Sequence, residues 1–260
     1  MAQAQHSLLL PERLAQVRDM LRASRVVRLD EVCVALGVSQ ATARRDLQEL
    51  ERLGEARRVH GGAVAIGGGR LFEPVFDDKA SAAADEKTRI ARHAAEMVNA
   101  GDTVYLDGGS TVVALARLLR EREDITVVTN SLRAAMALAD GGPTLILVGG
   151  ELRRRSQSIV GPLTQPLLQQ LHFDTAFMGT MGVSLEDGVT TTDPNEAFTK
   201  QAVMGQSTQK VLLADSSKLG EVAFARAGKL ADFGTLITDK QAPARFVVAA
   251  RKIGLNVVLT

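Results

Sequence analysis

Two hydrophobic patterns divide the chain into a short first part and a longer second part. Up to about residue 53, apolar residues such as Leu14, Val32 and Leu47 recur at helical spacing and predict three helices. After residue 100, short runs of consecutive apolar residues alternate with helical stretches. Runs without polar alternation are typical of strands buried on both faces, so the second part predicts a mostly parallel α/β sheet.

Seven apolar runs are the predicted strands of this sheet. They are 103–106, 125–129, 144–148, 175–178, 211–214, 235–238 and 255–259. Helices are predicted between several of them, at 112–120, 132–139, 163–171 and 196–207, and an earlier helix is predicted at 85–99. This alternation favours right-handed strand–helix–strand units.

The first part places a helix, a tight turn and a second helix in immediate succession. Gly37 is expected to end a short helix that begins at Leu29, and Ser39 is expected to cap the next helix, from about Gln40 to Leu53. Residues 56–66 then predict a β-hairpin that turns at two consecutive glycines. This order is typical of a helix-turn-helix DNA-binding domain.

Polar and basic side chains lie where such a domain would contact DNA. The start of a recognition helix enters the major groove, where Gln can read adenine, Arg can read guanine and hydroxyl groups can bind phosphate. The predicted DNA contacts are Ser39, Gln40, Thr42, Arg44, Arg45, Arg57, Arg58 and His60. Spacing alone leaves open that Arg44 and Arg45 are solvated charges paired with Asp46, Glu49 or Glu51.

Small and polar residues follow several predicted strands of the second part. Ligands of open α/β sheets bind at the carboxyl ends of the strands, and glycine beside a helix N-terminus lets the backbone approach a phosphate. A polyhydroxylated anion would suit these loops, with Lys218 neutralising a phosphate and Asp107 or Asp215 binding hydroxyl groups. The predicted contacts are Asp107, Gly108, Gly109, Ser110, Thr111, Thr129, Asn130, Ser131, Gly149, Gly150, Asp215 and Lys218. A glycine turn that only connects two elements, and a lysine that only meets water, are the alternatives.

Composition narrows the class of protein. The 260 residues include 45% hydrophobic and 23% charged residues with a formal net charge of +1, which is typical of a globular protein and excludes a generally basic nucleic-acid binder. Cys33 is the one cysteine, so we expect no disulfide, no metal and no cofactor. Without a long apolar window or a signal-peptide pattern, we expect a cytoplasmic protein with no membrane contact.

Several motifs of the first part occur together in one family of regulators. They are Gly37-Val38-Ser39, Thr42-x-Arg44-Arg45-Asp46-Leu47 and Arg58-Val59-His60-Gly61-Gly62-Ala63. On these motifs, residues 10–65 resemble the DNA-binding domain of the DeoR family of bacterial regulators. The resemblance implies a winged helix-turn-helix, with the helix-turn-helix at about 27–46, followed by a linker and irregular lead-in at 66–79. Ala43 and Glu55-Ala56 depart from the family, which usually carries larger apolar residues there.

The loops of the second part carry a matching resemblance. Their motifs include 106–111, 128–131, 149–153 and 214–218, together with Glu86-Lys87, Glu196 and Lys200. The stretch 72–238 resembles the DeoR-family sensor domain, whose fold is similar to ribose-5-phosphate isomerase, and we place this domain at 80–260. The resemblance implies that these loops line an effector pocket, adds Glu196 and Lys200 to its residues, and makes a sugar phosphate the expected effector.

The sequence therefore predicts a transcriptional regulator, in particular a repressor of a sugar operon that binds double-stranded operator DNA and a small phosphorylated sugar. Because paired half-sites need a symmetric protein, we expect a homo-oligomer, either a dimer or a tetramer. The main alternative is a sugar-phosphate isomerase-like enzyme with an accessory DNA-binding head, although no nucleophile and base occur at a motif spacing. A constitutive DNA-binding scaffold with a vestigial pocket is a third interpretation.

Overall fold

The chain folds into two compact units that meet in sequence between Phe72 and Glu73, called here the head and the body. The computed structural model describes residues 9–24, 26–53, 55–59, 61–65 and 70–260, and it describes 22, 23, 57, 64 and 65 by their backbone alone. Residues 66–69, at the start of the predicted linker, lie outside the described residues. The body begins before residue 80, where the sequence placed the start of the second domain.

The described part of the head contains three helices and a three-stranded antiparallel sheet. Its elements are α1 (Leu10–Ser24), β1 (Val26–Arg28), α2 (Leu29–Leu36), α3 (Gln40–Arg52), β2 (Ala56–Val59) and β3 (Gly62–Ala65). The predicted helices and hairpin are present, and β3 lies between β2 and β1. Strand β1 was not predicted, because three residues are too short a run for alternation to be recognised.

Gly37 and Ser39 determine the turn between α2 and α3. Gly37 has a φ of 63°, a left-handed conformation that glycine adopts without a steric penalty. The Ser39 hydroxyl accepts a hydrogen bond from the Thr42 N–H at 3.3 Å and caps α3. Ala43 and Leu47 are buried in the core of the head, whereas Ala35 of α2 is exposed.

Two ion pairs join α1 to the rest of the head. Arg13 donates two hydrogen bonds to the Asp46 carboxylate, at 2.7 and 2.9 Å, and this carboxylate is fully buried on α3. Arg18 pairs with the buried Glu55 at 2.6 Å. Glu55 is one of the two departures from the family pattern, and the ion pair to Arg18 explains how a carboxylate is accommodated there. A buried charge is stable only with such a partner, so these pairs fix α1 against α3 and the hairpin.

We predict that Arg13→Met destabilises the head by roughly 2 kcal/mol, somewhat less than the loss of a fully buried pair, because Arg13 keeps some exposure. The substitution preserves the aliphatic stem but leaves Asp46 buried without its counter-charge. Amide hydrogen exchange of α3 peptides measures the effect. Arg52→Met is the matched control, since its pair with Glu49 at 2.6 Å lies at the surface. Equal protection of α3 in both variants would contradict the role assigned to the Arg13–Asp46 pair.

The body is a three-layer α/β unit with additional β-ribbons. Its elements are α4 (Phe76–Ser81), α5 (Ala84–Glu96), β4 (Thr103–Leu106), α6 (Ser110–Leu119), β5 (Thr126–Thr129), α7 (Leu132–Leu138), β6 (Thr144–Leu147), β7 (Glu151–Arg153), β8 (Ser158–Val160), α8 (Gln165–Leu168), β9 (Phe173–Met178), β10 (Gly182–Ser184), β11 (Gly188–Thr191), α9 (Pro194–Gly205), β12 (Ser207–Leu213), β13 (Ala225–Gly228), β14 (Thr235–Thr238), α10 (Ala244–Lys252) and β15 (Asn256–Leu259). Short 3₁₀ turns occur at Pro162–Thr164, Ser216–Lys218 and Leu230–Asp232.

The seven predicted strands form one parallel sheet, as expected. Its order is β15-β14-β12-β9-β4-β5-β6, and every neighbouring pair is parallel. Alternate residues of each strand enter two apolar cores on opposite faces: Tyr105 of β4 lies in one core, and Val104 and Leu106 lie in the other. Burial on both faces explains why the five central strands, β14, β12, β9, β4 and β5, read as apolar runs, whereas the edge strands β6 and β15 are partly exposed.

The structure corrects several details of the sequence interpretation. The lead-in that was expected to be irregular contains α4, and the helix predicted at 163–171 is a 3₁₀ turn followed by the single turn α8, which has a proline at its start. The ribbon strands β7, β8, β10, β11 and β13, and helix α10, were not predicted. Along the described residues, no helix combines the length and hydropathy needed to cross a membrane.

Candidate functional site

The start of α3 presents basic and polar side chains to solvent. Gln40, Arg44 and Arg45 are exposed, and the half-buried Thr42 hydroxyl lies 3.0 Å from that of Ser39. The carboxylates that could have neutralised the arginines are engaged elsewhere. Asp46 binds Arg13, Glu49 binds Arg52, and Glu51 accepts the N–H of Arg58. Within the described part of the chain, neither Arg44 nor Arg45 forms an ion pair.

The hairpin carries a further exposed basic side chain, beside the other end of α3. Arg58 is exposed on β2, where its backbone N–H bonds to Glu51 of α3 at 2.9 Å. Arg57 lies on the same strand, but only its backbone is described, and His60 lies outside the described residues. Five predicted contacts, from Ser39 to Arg45, therefore share one helix end, and Arg58 lies on the strand bonded to that helix. Such a surface can offer guanidinium groups to phosphates and base edges.

In the body, the carboxyl ends of the central strands bring several predicted effector residues together. Asp107 follows β4, and its buried carboxylate accepts the Gly179 N–H at 2.9 Å and pairs with the Lys200 ammonium. Lys200 also donates to the Gly179 carbonyl at 3.0 Å. A Cβ on Gly179 would lie 2.5 Å from the carbonyl oxygen of Gly108, so only glycine allows these two loops to approach. Residues from β4, β9 and α9 thus form one closely packed polar group.

Most hydrogen-bonding groups at the end of β5 and in the loop after it have partners within the body. Thr129 donates to the Leu106 carbonyl at 2.6 Å and accepts the Ser131 N–H at 3.0 Å, and the Ser131 hydroxyl caps α7. Asn130 donates its amide to the Ile159 carbonyl at 3.0 Å, while its buried carbonyl oxygen has no partner among the described residues. Of the three predicted residues, Asn130 therefore keeps an unused acceptor, whereas Thr129 and Ser131 have structural bonds.

Lys87, which was not among the predicted contacts, shares the Lys79 carbonyl as an acceptor with Ser110 at the start of α6. Its ammonium donates to the carbonyls of Lys79 and Ala82. Burial lowers the pKa of Lys87 to about 8; the charge of Asp215 opposes this shift, and the charges of Lys218 and Lys79 add to it. Asp215 and Lys218 follow β12, at the same carboxyl edge of the parallel sheet at which α6 begins after β4. A usable signal was present, because Lys87 occupies the buried stripe that continues with Ile90, Ala91 and Ala94.

The start of α6 completes this cationic region. Ser110 is the first residue of α6, Thr111 follows it, and Gly109 caps the helix with a φ of 131°, which favours glycine. The Ser110 hydroxyl donates to the Lys79 carbonyl at 3.1 Å. A helix N-terminus with free N–H groups, a hydroxyl and nearby ammonium groups is suited to an anion. We call this group of Ser110, the start of α6, Lys87 and Lys218 the cationic cradle.

Glu196 belongs to a separate network around Arg153. It accepts the Thr191 hydroxyl at 2.5 Å and pairs with Arg153 at 3.2 Å, while Arg153 also pairs with Glu73 at 2.7 Å. Arg153 is therefore not a solvated side chain. Its guanidinium is held by three carboxylates, those of Glu73 before α4 and of Asp193 and Glu196 at the start of α9.

Gly149 and Gly150 lie at the surface after β6. Gly150 has a φ of 150°, and a Cβ there would lie 2.9 Å from the Ile159 side chain. Its described neighbours are therefore residues of β8 and the turn beyond it, rather than the Asp107 group.

We predict that Glu73 makes the stability of the body depend on acid pH. Burial alone would raise the pKa of Glu73, but the charge of Lys79 and hydrogen bonds from Arg153, Lys79 and Thr192 lower it to about 2. The ionised form therefore stabilises the folded state above about pH 4.5, and this contribution is lost as the pH falls towards 2. Between about pH 5 and pH 2.5 the wild type should lose on the order of 2 kcal/mol more than Glu73→Gln in urea titrations. The exposed variant Glu121→Gln should follow the wild type; parallel curves for all three proteins would refute the assignment.

Comparisons with known proteins identify both units. Residues 13–67 match the DeoR-like helix-turn-helix domain, and residues 82–240 match the DeoR C terminal sensor domain. The chain belongs to the DeoR family of transcriptional regulators. This DeoR-family chain is 36% identical over 233 residues to the lactose phosphotransferase system repressor of Streptococcus mutans, with 88% of this chain and 92% of that repressor covered. It is 32% identical to the repressor GlcR of Bacillus subtilis, with 96% of each chain covered.

The comparisons also decide between regulator and enzyme. The regulator GlpR of Haloferax volcanii is 34% identical to this chain, with 96% of this chain and 98% of GlpR covered. Because such relatives are regulators over their full length, the prediction of a DNA-binding regulator is confirmed and the isomerase-like alternative is wrong. Among solved structures, ribose 5-phosphate isomerase A of Methanocaldococcus jannaschii matches 52% of this chain and 54% of its own, with 22% identity and a TM-score of 0.40.

Proposed function

We propose that this regulator represses a sugar-catabolism operon and is released from its operator by a phosphorylated sugar bound at the carboxyl edge of the body sheet. The observation that carries the proposal is the pairing of two features in one chain. The head has an unneutralised basic helix end, and the body has a cationic cradle beside buried hydroxyl-binding groups. We further propose that the protein acts in the cytoplasm as a homo-oligomer.

The chemistry of the body supports a phosphorylated sugar. The cradle supplies positive charge and N–H donors for a phosphate, while Asp107 and the unused oxygen of Asn130 supply acceptors for sugar hydroxyl groups. One relative is named as the repressor of a lactose phosphotransferase system, a name that joins a sugar with phosphoryl transfer. The effector set that we propose contains Asp107, Gly108, Gly109, Ser110, Thr111, Thr129, Asn130, Ser131, Gly149, Gly150, Glu196, Lys200, Asp215 and Lys218, to which Lys87 is added.

Control of DNA binding requires that the effector discriminate between two arrangements of the protein. A ligand shifts such an equilibrium only by the difference between its affinities for the two states. Two heads joined through their bodies would bind two half-sites that are spaced by whole turns of DNA. In one arrangement of the two bodies the heads match this spacing, and in the other they do not. An effector that binds the second arrangement more tightly would weaken operator binding without contacting the DNA.

We predict that Arg44→Ala weakens binding to DNA from the protein's own promoter region by roughly tenfold or more, since a bidentate arginine–guanine contact contributes about 1–3 kcal/mol. Fluorescence anisotropy titrations at several salt concentrations measure the effect. Arg52→Ala is the control, because Arg52 lies at the opposite end of α3 in a pair with Glu49. If Arg58 contacts a phosphate, Arg58→Ala should make the log–log salt slope less negative by about 0.9. Equal affinities for the Arg44 and Arg52 variants would remove the recognition role of α3.

We predict that sugar phosphates, and not the corresponding free sugars, raise the melting temperature of the protein and dissociate its complex with promoter DNA. A thermal-shift screen followed by DNA titration with each hit tests this. Lys87→Met should weaken the hit by roughly tenfold, since a hydrogen bond between charged groups contributes about 1.5–3 kcal/mol. Lys252→Met, an exposed lysine at the end of α10, is the control. Stabilisation by free sugars to the same extent would contradict a phosphate-dependent site.

A further inference from the structure

The end of α4 is bound by donors of the cationic cradle. The Lys79 carbonyl accepts hydrogen bonds from the Ser110 hydroxyl, at 3.1 Å, and from the Lys87 ammonium. The Ala82 carbonyl accepts a second bond from Lys87. These acceptors belong to the last turn of α4 and the residue after it. The donors are Lys87 of α5 and Ser110 of α6, and α6 begins at the carboxyl edge of the body sheet.

The bonds resemble those that an anion would form. The last carbonyls of a helix lack partners within the helix and carry a partial negative charge. They therefore satisfy an ammonium and a hydroxyl in the same way as phosphate oxygens, although a charged acceptor binds roughly twice as strongly. The carbonyls of segment 79–82 therefore accept hydrogen bonds from the donors that a phosphate would need.

We propose that segment 79–82 and the phosphate of the effector compete for Ser110 and Lys87, so that effector binding releases the end of α4. The proposal rests on the proposed function, because it uses the same cradle as the effector site. It adds a route by which effector binding at that site is transmitted to the head. A phosphate that takes the two donors leaves the carbonyls of Lys79 and Ala82 without them.

Lys79 links the competition for Ser110 and Lys87 to Glu73, the first residue of the body. Its carbonyl faces the cradle, while its ammonium pairs with Glu73 at 2.7 Å. Glu73 is the point at which the body begins, directly after the stretch that leads from the head. Glu73 is also held by Arg153, which pairs with Glu196. Movement of Lys79 therefore changes a contact of the residue from which the head is attached.

The remaining anchors of α4 set how readily the segment can leave. Phe76 is buried in the core shared with α6, and the Arg133 guanidinium lies 5.3 Å from the centre of its ring. Arg133 also pairs with the exposed carboxylate of Asp77 at 3.2 Å. Phe76 contributes packing without charge. Its truncation therefore weakens the docking of α4 without removing a charged group.

Competition and simple helix capping by Lys87 predict different results for phosphate binding. If segment 79–82 competes, the apparent dissociation constant of phosphate depends on the fraction of molecules in which the donors are accessible. Weaker docking of α4 raises that fraction and tightens phosphate binding. If Lys87 only caps α4, weaker docking disorders the surroundings of the cradle and leaves phosphate binding unchanged or weaker.

The test measures inorganic phosphate binding to the full chain by calorimetry, in chloride buffers of matched ionic strength. Phe76→Ala should bind phosphate at least roughly threefold more tightly than the wild type. Phe246→Ala is the matched control, because Phe246 is a similarly buried phenylalanine of α10 in the other core, and it should leave phosphate affinity unchanged. Phe76→Leu, a milder truncation, should act in the same direction and serves if Phe76→Ala fails to fold. Equal or weaker binding in the Phe76 variants overturns the proposal.

Hydrogen exchange of the wild type supplies a second measurement. Phosphate should protect the amides of 110–113 and accelerate exchange in 79–83. Protection at 110–113 with unchanged or slower exchange in 79–83 overturns the competition and leaves the anion site of the proposed function intact. If phosphate neither binds the wild type nor protects 110–113, the anion site itself fails, and the competition fails with it.

Discussion

The free-energy cost of removing a charge from water determines the arrangement of both units. A buried charge persists only where an opposite charge or several hydrogen bonds compensate it. In the head, Asp46 and Glu55 enter the interior together with two arginines of α1. In the body, Asp107 enters with Lys200. Each pair joins elements that are distant in sequence, so compensation of charge and assembly of the fold are the same event.

Lys87 differs from these pairs, because neutral carbonyls are its hydrogen-bond acceptors. Burial lowers its pKa to about 8, and the more distant charge of Asp215 offsets this only in part, since Lys218 and Lys79 act in the opposite sense. The charged form of Lys87 is therefore less well compensated than that of Lys200. An anion in the cradle would supply the missing charge, which gives a physical reason for a phosphate to bind there in preference to a neutral sugar.

The sequence predicted the elements that repeat a simple pattern and missed those that depend on distant contacts. All seven strands of the sheet were recognised as apolar runs, which in the five central strands reflect burial on both faces. The helix-turn-helix was recognised through Gly37 and Ser39, whose roles are local. The β-ribbons and the network of Arg153 were missed, since partners such as Glu73 lie far away in sequence and no periodicity marks them. Lys87 was missed although its place in the apolar stripe of α5 was visible, because a lysine is normally assigned to the solvent side of a helix.

Exchange of the α4 carbonyls for phosphate oxygens as hydrogen-bond acceptors in the cationic cradle also explains how a small ligand can change a large structure. A hydrogen bond from the Lys87 ammonium to a neutral carbonyl already involves a charged group and contributes about 1.5–3 kcal/mol, and an ionised acceptor adds Coulomb attraction to it. Replacing the carbonyls of Lys79 and Ala82 by phosphate oxygens therefore lowers the free energy of the donors' hydrogen bonds only slightly. The released carbonyls can form hydrogen bonds with water instead. A small margin allows a metabolite at moderate concentration to shift the equilibrium in either direction as its level changes. A stronger internal contact, such as the pair between Asp107 and Lys200, would resist displacement, so the weaker contact of α4 is the one suited to transmit the signal.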